Sequence, residues 1–450
     1  MNSLRPILFL TLIFLSGKFS AQVWSPLGGG LSGPANVVTV HDGKLFVGGY
    51  FQTAGNSTNY VSNVAQWNDT TWSDLHGGAD YPVNAFCEYN GDFYAGGRFT
   101  GIGGNFVMPG ISIWNGTTWD SVGGGITPGG WIDAMIVYNG KLIVAGSFSQ
   151  AGSIAANDIA AWDGNNWSTL GNGFHHGHVS CLEIFNGELY AGGSFDSCGT
   201  SVIQRIAKWD GTSWSQVGEG FLYGMPLSLK TFQGKLYAGG SMFVTTGFHP
   251  MHNFAVWDGT AWNAVEVSGA DNLVNTLFVY GNYLLVGGSF SQLCGAPVNC
   301  IAAWDGTTVF PLGTGISFSI NTTPFVSSIY VDEGVLYAGG YFDRAGGDTA
   351  NNIARWDFGN WMSEQNISVQ ENISVYPNPS NGIFTFHTND FSHESTIDIY
   401  NSHGEKINSF PMKNEVQTID LSREAQGIYF YQILDNGKIV SQGKIICANQ

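Results

Sequence analysis

The stretch from Val179 to Phe221 reads VSCLEIFNGELYAGGSFDSCGTSVIQRIAKWDGTSWSQVGEGF, and the same text recurs from Val37, Val83, Ile132, Pro226, Val274 and Val326. The second glycine of its pair falls at Gly49, Gly97, Gly146, Gly193, Gly240, Gly288 and Gly340. Its first tryptophan falls at Trp67, Trp114, Trp162, Trp209, Trp257, Trp304 and Trp356, with spacings of 47, 48, 47, 48, 47 and 52 residues. Seven copies in register at this period mean a repeat architecture.

Each copy reads as four strands. The first alternates apolar and polar residues, as in Val83-Asn84-Ala85-Phe86, and ends at pairs such as Asn90-Gly91, Asn139-Gly140 or Asn186-Gly187. Asn-Gly supplies the positive φ values of a two-residue hairpin turn. The second strand is Leu-Tyr-Ala-Gly-Gly or close to it, and its paired glycines let a neighbouring backbone or ring approach. After a variable connection, the third strand places a small residue two before the tryptophan (Ala160, Ala207, Ala255, Ala302, Ala354). Asp-Gly then turns the chain into a fourth strand that begins at a second tryptophan such as Trp167 or Trp214.

One small sheet of this kind cannot bury both its faces. Stacking such sheets around an axis does so, and closing the ring leaves only protected edges. The expected fold class is therefore all-β: a seven-bladed β-propeller over residues 22–364, with repeats starting near 37, 83, 132, 179, 226, 274 and 326. The fourth-strand motif appears once more, at Trp24-Ser25-Pro26-Leu27-Gly28-Gly29-Gly30. This extra copy is expected to pair into the last repeat, beside or instead of the weak copy at Trp361.

The repeat resembles the kelch type. More closely, Phe148-Ser149-Gln150-Ala151-Gly152 and Asn352-Ile353-Ala354-Arg355-Trp356-Asp357 are similar to the F-x-x-A-G and N-I-A-x-W-D-G repeats of many bacterial exported proteins and of fungal cortical polarity markers. The resemblance covers residues 24 to about 364 and implies a propeller without implying an activity.

Outward from the repeats, Arg5 followed by the apolar run Pro6–Leu15 and a polar exit to Ala21 has the layout of a secretory signal peptide over residues 1–21. No later run has the length and apolarity of a transmembrane helix, so the expected mature chain is secreted. Between Gln22 and Gln365 stand 25 acidic and 9 basic residues, within a formal net charge of −18 for the chain. Such a surface repels phosphate backbones, and nucleic acid is excluded as a partner.

The repeats stop at Trp361, and residues 365–373 read as a polar linker. The rest, 374–450, carries short alternating strands: Ile383–Phe386, Ile397–Tyr400, Gly427–Ile433 and Lys444–Ile446, with turns at His403-Gly404 and Asn436-Gly437. These argue a small antiparallel β-sandwich tail domain. The ordered blocks YPNPSNG (376–382), IDIYNSHGEKI (397–407) and GIYFYQI (427–433) resemble the type A sorting domain of the type IX secretion system. The motif positions are Tyr376, Pro377, Asn378, Pro379, Gly382, Gly427 and Tyr429. The resemblance implies the type IX machinery as a partner, passage across the outer membrane of a Gram-negative bacterium, and release or attachment at the cell surface. The ending Cys447-Ala448-Asn449-Gln450 departs from tails that finish nearer a basic residue.

No catalytic motif is present. Asp163-Gly164-Asn165-Asn166-Trp167 lacks the Asp–Gly spacing of a sialidase Asp-box, and Asp163, Asp210, Asp258, Asp305 and Asp357 share one turn position. The six cysteines show no metal spacing, so no zinc site is expected; Cys294 and Cys300 lie in one loop and could bridge. His175, His176 and His178, with His249 and His252 in the next repeat, could serve a transition metal or simply form a polar loop. Asp343 and Asp348 leave calcium open without a known ligand spacing. No cofactor is assigned.

The connections between second and third strands, and between repeats, vary in length and chemistry: 101–110, 127–131, 174–178, 221–225, 245–252 and 317–324. They open on one face and carry Tyr81, Trp131, Phe221, Tyr223 and the three histidines, which are the candidate ligand-binding residues. Two function classes fit. One is a binding or adhesion module for an extracellular glycan or protein; the other is a hydrolase of extracellular polysaccharide or protein with its site on this face.

Overall fold

The computed structural model describes residues 24–55, 59–104, 107–244, 251–266, 268–320, 322–358, 373–388, 395–401, 406–412, 414, 416–435 and 438–448. The leader at 1–21, Trp361, most of the linker, His249 and the turns His403-Gly404 and Asn436-Gly437 lie outside them, as does the His252 side chain. The chain divides into two units, the first ending at Gly359 and the second starting at Asn360.

The first unit holds seven four-stranded antiparallel sheets. Sheet 1 runs Ala35–His41, Lys44–Gly49, Val64–Trp67, Trp72–Asp74; sheet 2 runs Val83–Tyr89, Asp92–Gly97, Ile111–Trp114, Trp119–Ser121. Sheet 3 is Trp131–Tyr138, Lys141–Ser147, Ile159–Trp162, Trp167–Thr169, and sheet 4 is Val179–Phe185, Glu188–Gly193, Ile206–Trp209, Trp214–Gln216. Sheet 5 is Tyr223–Phe232, Lys235–Val244, Met251–Trp257, Trp262–Ala264, and sheet 6 is Val274–Tyr280, Tyr283–Gly288, Ile301–Trp304, Val309–Pro311. Sheet 7 takes Phe325–Asp332, Val335–Tyr341 and Ile353–Asp357 from the end of the unit and its outer strand, Trp24–Pro26, from the beginning. Trp24 there pairs with Trp356. The first strand of each sheet packs against that of the next, and the first strand of sheet 7 against that of sheet 1.

The two glycines of the repeat do different jobs. A Cβ on Gly96 would lie 2.7 Å from Ile132 of the next sheet, and one on Gly339 2.9 Å from Ala35, so the first glycine lets sheets approach. A Cβ on Gly97, Gly193 or Gly340 would instead meet the carbonyl oxygen of Pro82, His178 or Phe325 at 2.2, 2.0 and 2.0 Å. That carbonyl stands beside a bulge in the first strand, where the register shifts between Val83 and Ala85, Val179 and Cys181, and Val326 and Ser328. The bulge re-aims one side chain per sheet.

The second tryptophan clasps neighbouring sheets. Its indole N–H donates to a carbonyl at the end of the preceding sheet: Trp72 to Leu27, Trp119 to Leu75, Trp167 to Gly123, Trp214 to Leu170, Trp262 to Val217 and Trp24 to Leu312. Burying such a ring adds roughly 1.5–3 kcal/mol, and of the six only Trp167 is partly rather than fully buried. The turn aspartates behave as their position implies: Asp163 accepts from the Asn165 and Asn166 amides, and Asp210, Asp258 and Asp305 repeat the pattern.

The variable connections depart from expectation in being braced. Pairs of two-residue strands stand at 53–54 with 59–60, 150–151 with 154–155, 197–198 with 201–202, 292–293 with 296–297 and 344–345 with 348–349. Each meets the incoming connection, as in Leu31 with Ala54, Ile126 with Ala151 and His175 with Ser197. Sheet 5 differs again, since its hairpin simply lengthens and Tyr223 becomes a strand residue. Phe221, expected on an open face, is fully buried with its ring 4.9 Å from Trp262. It fills the seam between sheets 4 and 5 and is unavailable to a ligand. Cys294 and Cys300 are both free thiols, at φ of 48° and 65°, bonded towards separate carbonyls of Val265 and Pro324.

The second unit has a three-stranded sheet, in the order Ile373–Tyr376, Ile383–Thr388, Val416–Asp420. Its four-stranded sheet runs in the order Lys406–Pro411, Thr396–Tyr400, Gly427–Asp435, Lys438–Cys447. Phe384, Phe386 and Ile419 from one sheet and Ile397, Ile399, Tyr431, Ile433 and Ile445 from the other share a core. Among the described residues no helix is long and apolar enough to cross a membrane.

Candidate functional site

The bulge places one residue of each first strand at the loop-bearing end of the ring: Asn36, Asn84, Asp133, Ser180, Leu227, Asn275 and Ser327. Three of these are chained across sheets. Asn36 Nδ2 donates to Asn84 Oδ1 at 2.9 Å, and Asn84 Nδ2 donates to Asp133 Oδ1 at 3.0 Å. The other oxygen of Asp133 accepts the Trp131 indole N–H at 2.7 Å. Burial raises the Asp133 carboxyl above the ordinary carboxylate range, against the opposing pull of Trp131, His178, Asn84 and Arg98.

Trp131, so fixed, has two cationic or ionisable neighbours. The Arg98 guanidinium from sheet 2 lies 4.6 Å over its ring, a cation–π contact. The His178 ring from sheet 4 is 6.1 Å away and tilted by 59°. His178 is itself held by Ser194, whose hydroxyl is 2.9 Å from Nδ1 and accepts the His178 amide at 3.0 Å. Sheets 1 to 4 thus contribute to one polar and aromatic cluster at the ring's mouth.

Of the residues singled out from sequence, Trp131 and His178 come together here. Tyr81 and Tyr223, 57% and 64% exposed, stand where the chain enters sheets 2 and 5. His176 is exposed and paired with Asp196 at 2.8 Å, and His175 bridges to Ser197. Among the described residues no group of three His, Cys, Asp or Glu side chains converges in a way that would hold a metal ion. Asp343 is occupied by the amide and hydroxyl of Ser319.

Arg98, Asp133, Asn84 and Ser194 were not anticipated. A column-by-column reading finds the first two: the residue after the second glycine is Tyr50, Arg98, Ser147, Ser194, Ser241, Ser289 or Tyr341, and the bulge residue is charged only at Asp133. One charge in each column, in adjacent repeats, is the signal.

In the second unit, residues of the YPNPSNG and GIYFYQI blocks make hydrogen bonds and close packing within the unit. Asn378 receives the Ile446 amide at 2.9 Å and donates to the Lys444 carbonyl at 2.9 Å, stitching the turn to the last strand. Gly382 has φ of 109°, and a Cβ there would lie 2.6 Å from the Ser422 backbone. Tyr429 is buried and donates to the Ala425 carbonyl at 2.6 Å, while Tyr376 is half exposed. The bonds Tyr376-Pro377 and Asn378-Pro379 are cis, and Gly427 opens the strand that carries Tyr429.

Residues 374–448 match the family described as a secretion system C-terminal sorting domain, and residues 41–62 match a domain of unknown function (DUF5122) β-propeller. No curated protein matches the chain. Among solved structures it is similar to PorZ of Porphyromonas gingivalis, described as an essential bacterial surface component of the type-IX secretion system. That match has 14% identity and a TM-score of 0.41, over 91% of this chain and 58% of that one. The extracellular domain of the hybrid two component system BT3049 of B. thetaiotaomicron shares 9% identity at a TM-score of 0.45, over 94% and 57%. A fungal alcohol oxidase of the AA5 family, in complex with copper, shares 12% at 0.42, over 94% and 99%. The chain thus spans under three fifths of the first two, and TM-scores this low carry no argument about function. The sorting-domain match does: this is a β-propeller protein exported by the type IX secretion system to the cell surface or the extracellular space.

Proposed function

We propose that the first unit is a seven-bladed propeller acting as a non-catalytic binding module for an extracellular glycan, and that the second is a sandwich-type sorting domain engaging the type IX machinery. The observation that carries the binding reading is the cluster of Arg98, Trp131, Asp133 and His178 at the loop-bearing end. Aromatic rings with fixed planes and a few convergent polar groups are what sugar recognition uses. Asp133 has both oxygens engaged, so its chemistry is to hold Trp131 in place. No cofactor is required.

The test is a glycan array probed with the purified mature protein, with hydrolysis assays on the same glycans. Trp131→Ala should abolish retention on the array without moving the melting temperature by more than a few degrees. Release of reducing ends by the wild type would instead favour the hydrolase reading. For the tail, truncation after Gln365 should leave the propeller folded and held in the periplasm; the truncated form outside the cell at normal level would refute the sorting role.

A further inference from the structure

The chain is acidic, and its few cations are mostly spent. Of the 9 basic residues between Gln22 and Gln365, Lys208 pairs with Glu188 and Lys230 with Glu183. Arg205 donates to the Phe221 and Leu222 carbonyls, Arg344 to Gly347 and Arg355 to the Ser25 hydroxyl. Lys44, Lys141 and Lys235 begin second strands, at the hairpin-turn end of their sheets. That leaves Arg98. It is exposed, and among the described residues its side chain forms no ion pair within contact distance and no hydrogen bond; it lies over the Trp131 face and feels the Asp133 carboxyl only electrostatically.

Trp131 is in turn held by Asp133, and Asp133 by Asn84, so the cation rests on a fixed plate. A guanidinium lying over a ring keeps in-plane N–H groups free, in the fork that matches a carboxylate. The Arg98 amide donates to the Pro82 carbonyl at 2.9 Å, which puts exposed Tyr81 one residue away along the chain. The backbone of Arg98 thus stands beside the Tyr81-Pro82 segment at one mouth.

Resting on the glycan reading above, we infer that this mouth takes a carboxylated pyranose, a uronate, with Arg98 as its ion-pair partner and Tyr81 packing on the sugar ring. The net charge of −18 opposes a continuous polyanion. The fitting ligand is a largely neutral glycan with one terminal or isolated uronate per bound site.

Calorimetric titration of the full mature chain with two trisaccharides, identical except for a glucuronate or a glucose end, tests this. The glucuronate form should bind about tenfold or more tightly. Arg98→Gln should erase that difference while leaving the glucose form unchanged, and Arg98→Lys should keep part of it. Melting curves check that both variants fold. Equal affinities in the wild type, or a preference that survives Arg98→Gln, would overturn the uronate assignment and leave the glycan reading intact. Binding of neither sugar would overturn both. A glutamate-rich peptide bound with the same Arg98 dependence would overturn the uronate in favour of a protein ligand.

Discussion

Two seams of the ring make an instructive pair. Sheet 7 is itself discontinuous in the chain, because its outer strand comes from the N-terminus; yet across the seam with sheet 6 Trp24 donates to Leu312 at 2.8 Å and packs on Trp356 at 5.4 Å, like its counterparts elsewhere. Where sheet 6 meets sheet 5 the chain is continuous, yet the clasp is missing: Val309 stands in the tryptophan position, and Glu266 takes the positive-φ place that Gly123 or Gly171 holds at other seams. That seam relies on Trp304 against Phe232, Tyr237 and Phe254, at 6.1, 5.4 and 5.8 Å. Covalent continuity and seam quality are therefore separate properties. A repeat is a cassette of side chains, and its clasp works wherever the chain delivers it.

The sharpest way to break this comparison is Trp24→Ala. Truncating a buried tryptophan costs about 3–5 kcal/mol, and here it also frees the chain end, so the melting temperature should fall on the order of 5–10 °C. A calorimetric melt that shows a smaller fall than Trp262→Ala would mean the closing strand is dispensable.

A smaller effect is expected at the seam between sheets 3 and 4. Asn63, Asn253 and Asn352 share a positive-φ position and donate side-chain N–H groups to the carbonyls of Ala79, Ala270 and Leu31; Arg205 does the same to Phe221. Sheet 3 has Asp158 there, buried, with its carboxyl pushed up to about 7 by desolvation against one bond from the Phe148 amide. An ionised carboxylate has no proton to donate. Because the folded value lies above the unfolded one, the stabilising contribution is complete below the ordinary carboxylate range and is lost as pH rises through about 7. Melting temperature should thus decline between pH 5 and 8 in the wild type, whereas Asp158→Asn should flatten the decline and melt a few degrees higher at pH 8. Parallel curves for the two proteins would refute this.

The smallest expected change is a gain. Val309→Trp should restore an indole bond towards the Val265 carbonyl and raise the melting temperature by about 1–3 °C. His76 beside Trp119 shows that a side chain at the glycine position is compatible with the clasp. A lowered melt would show that the aromatic group around Trp304 already fills the seam.

What could be read beforehand was whatever repeats. The tryptophan period, the turn glycines and the extra fourth-strand motif at Trp24 lie in local text, and the strand that closes sheet 7 could be anticipated from them. The site was legible only in part. Trp131 and His178 stood out as large side chains on variable connections, but Arg98 lies in the preceding copy and only the ring brings it over Trp131, while Asp133, two residues from Trp131, reads as one more polar position of an alternating strand. Phe221 was misplaced because an aromatic residue at the end of a connection reads alike whether it faces solvent or a seam; its burial is decided by Trp262, 41 positions further on. The bracing of the connections was also hidden, since dipeptide strands are too short to alternate.

The N-terminal origin of the last outer strand also bears on the order of events during synthesis. Ser25 leaves the ribosome first, and Arg355, which bonds to it, follows 330 residues later. Until Ile353–Asp357 is made, the leading strand has no edge to join and the ring cannot close. The entropy of closing so long a loop grows only with the logarithm of its length, so the delay costs little at equilibrium. A chain broken off before Ile353 is another matter: it would carry two orphaned edges, the Trp24 strand and the Val335–Tyr341 strand of sheet 7, each a template for pairing with another such chain.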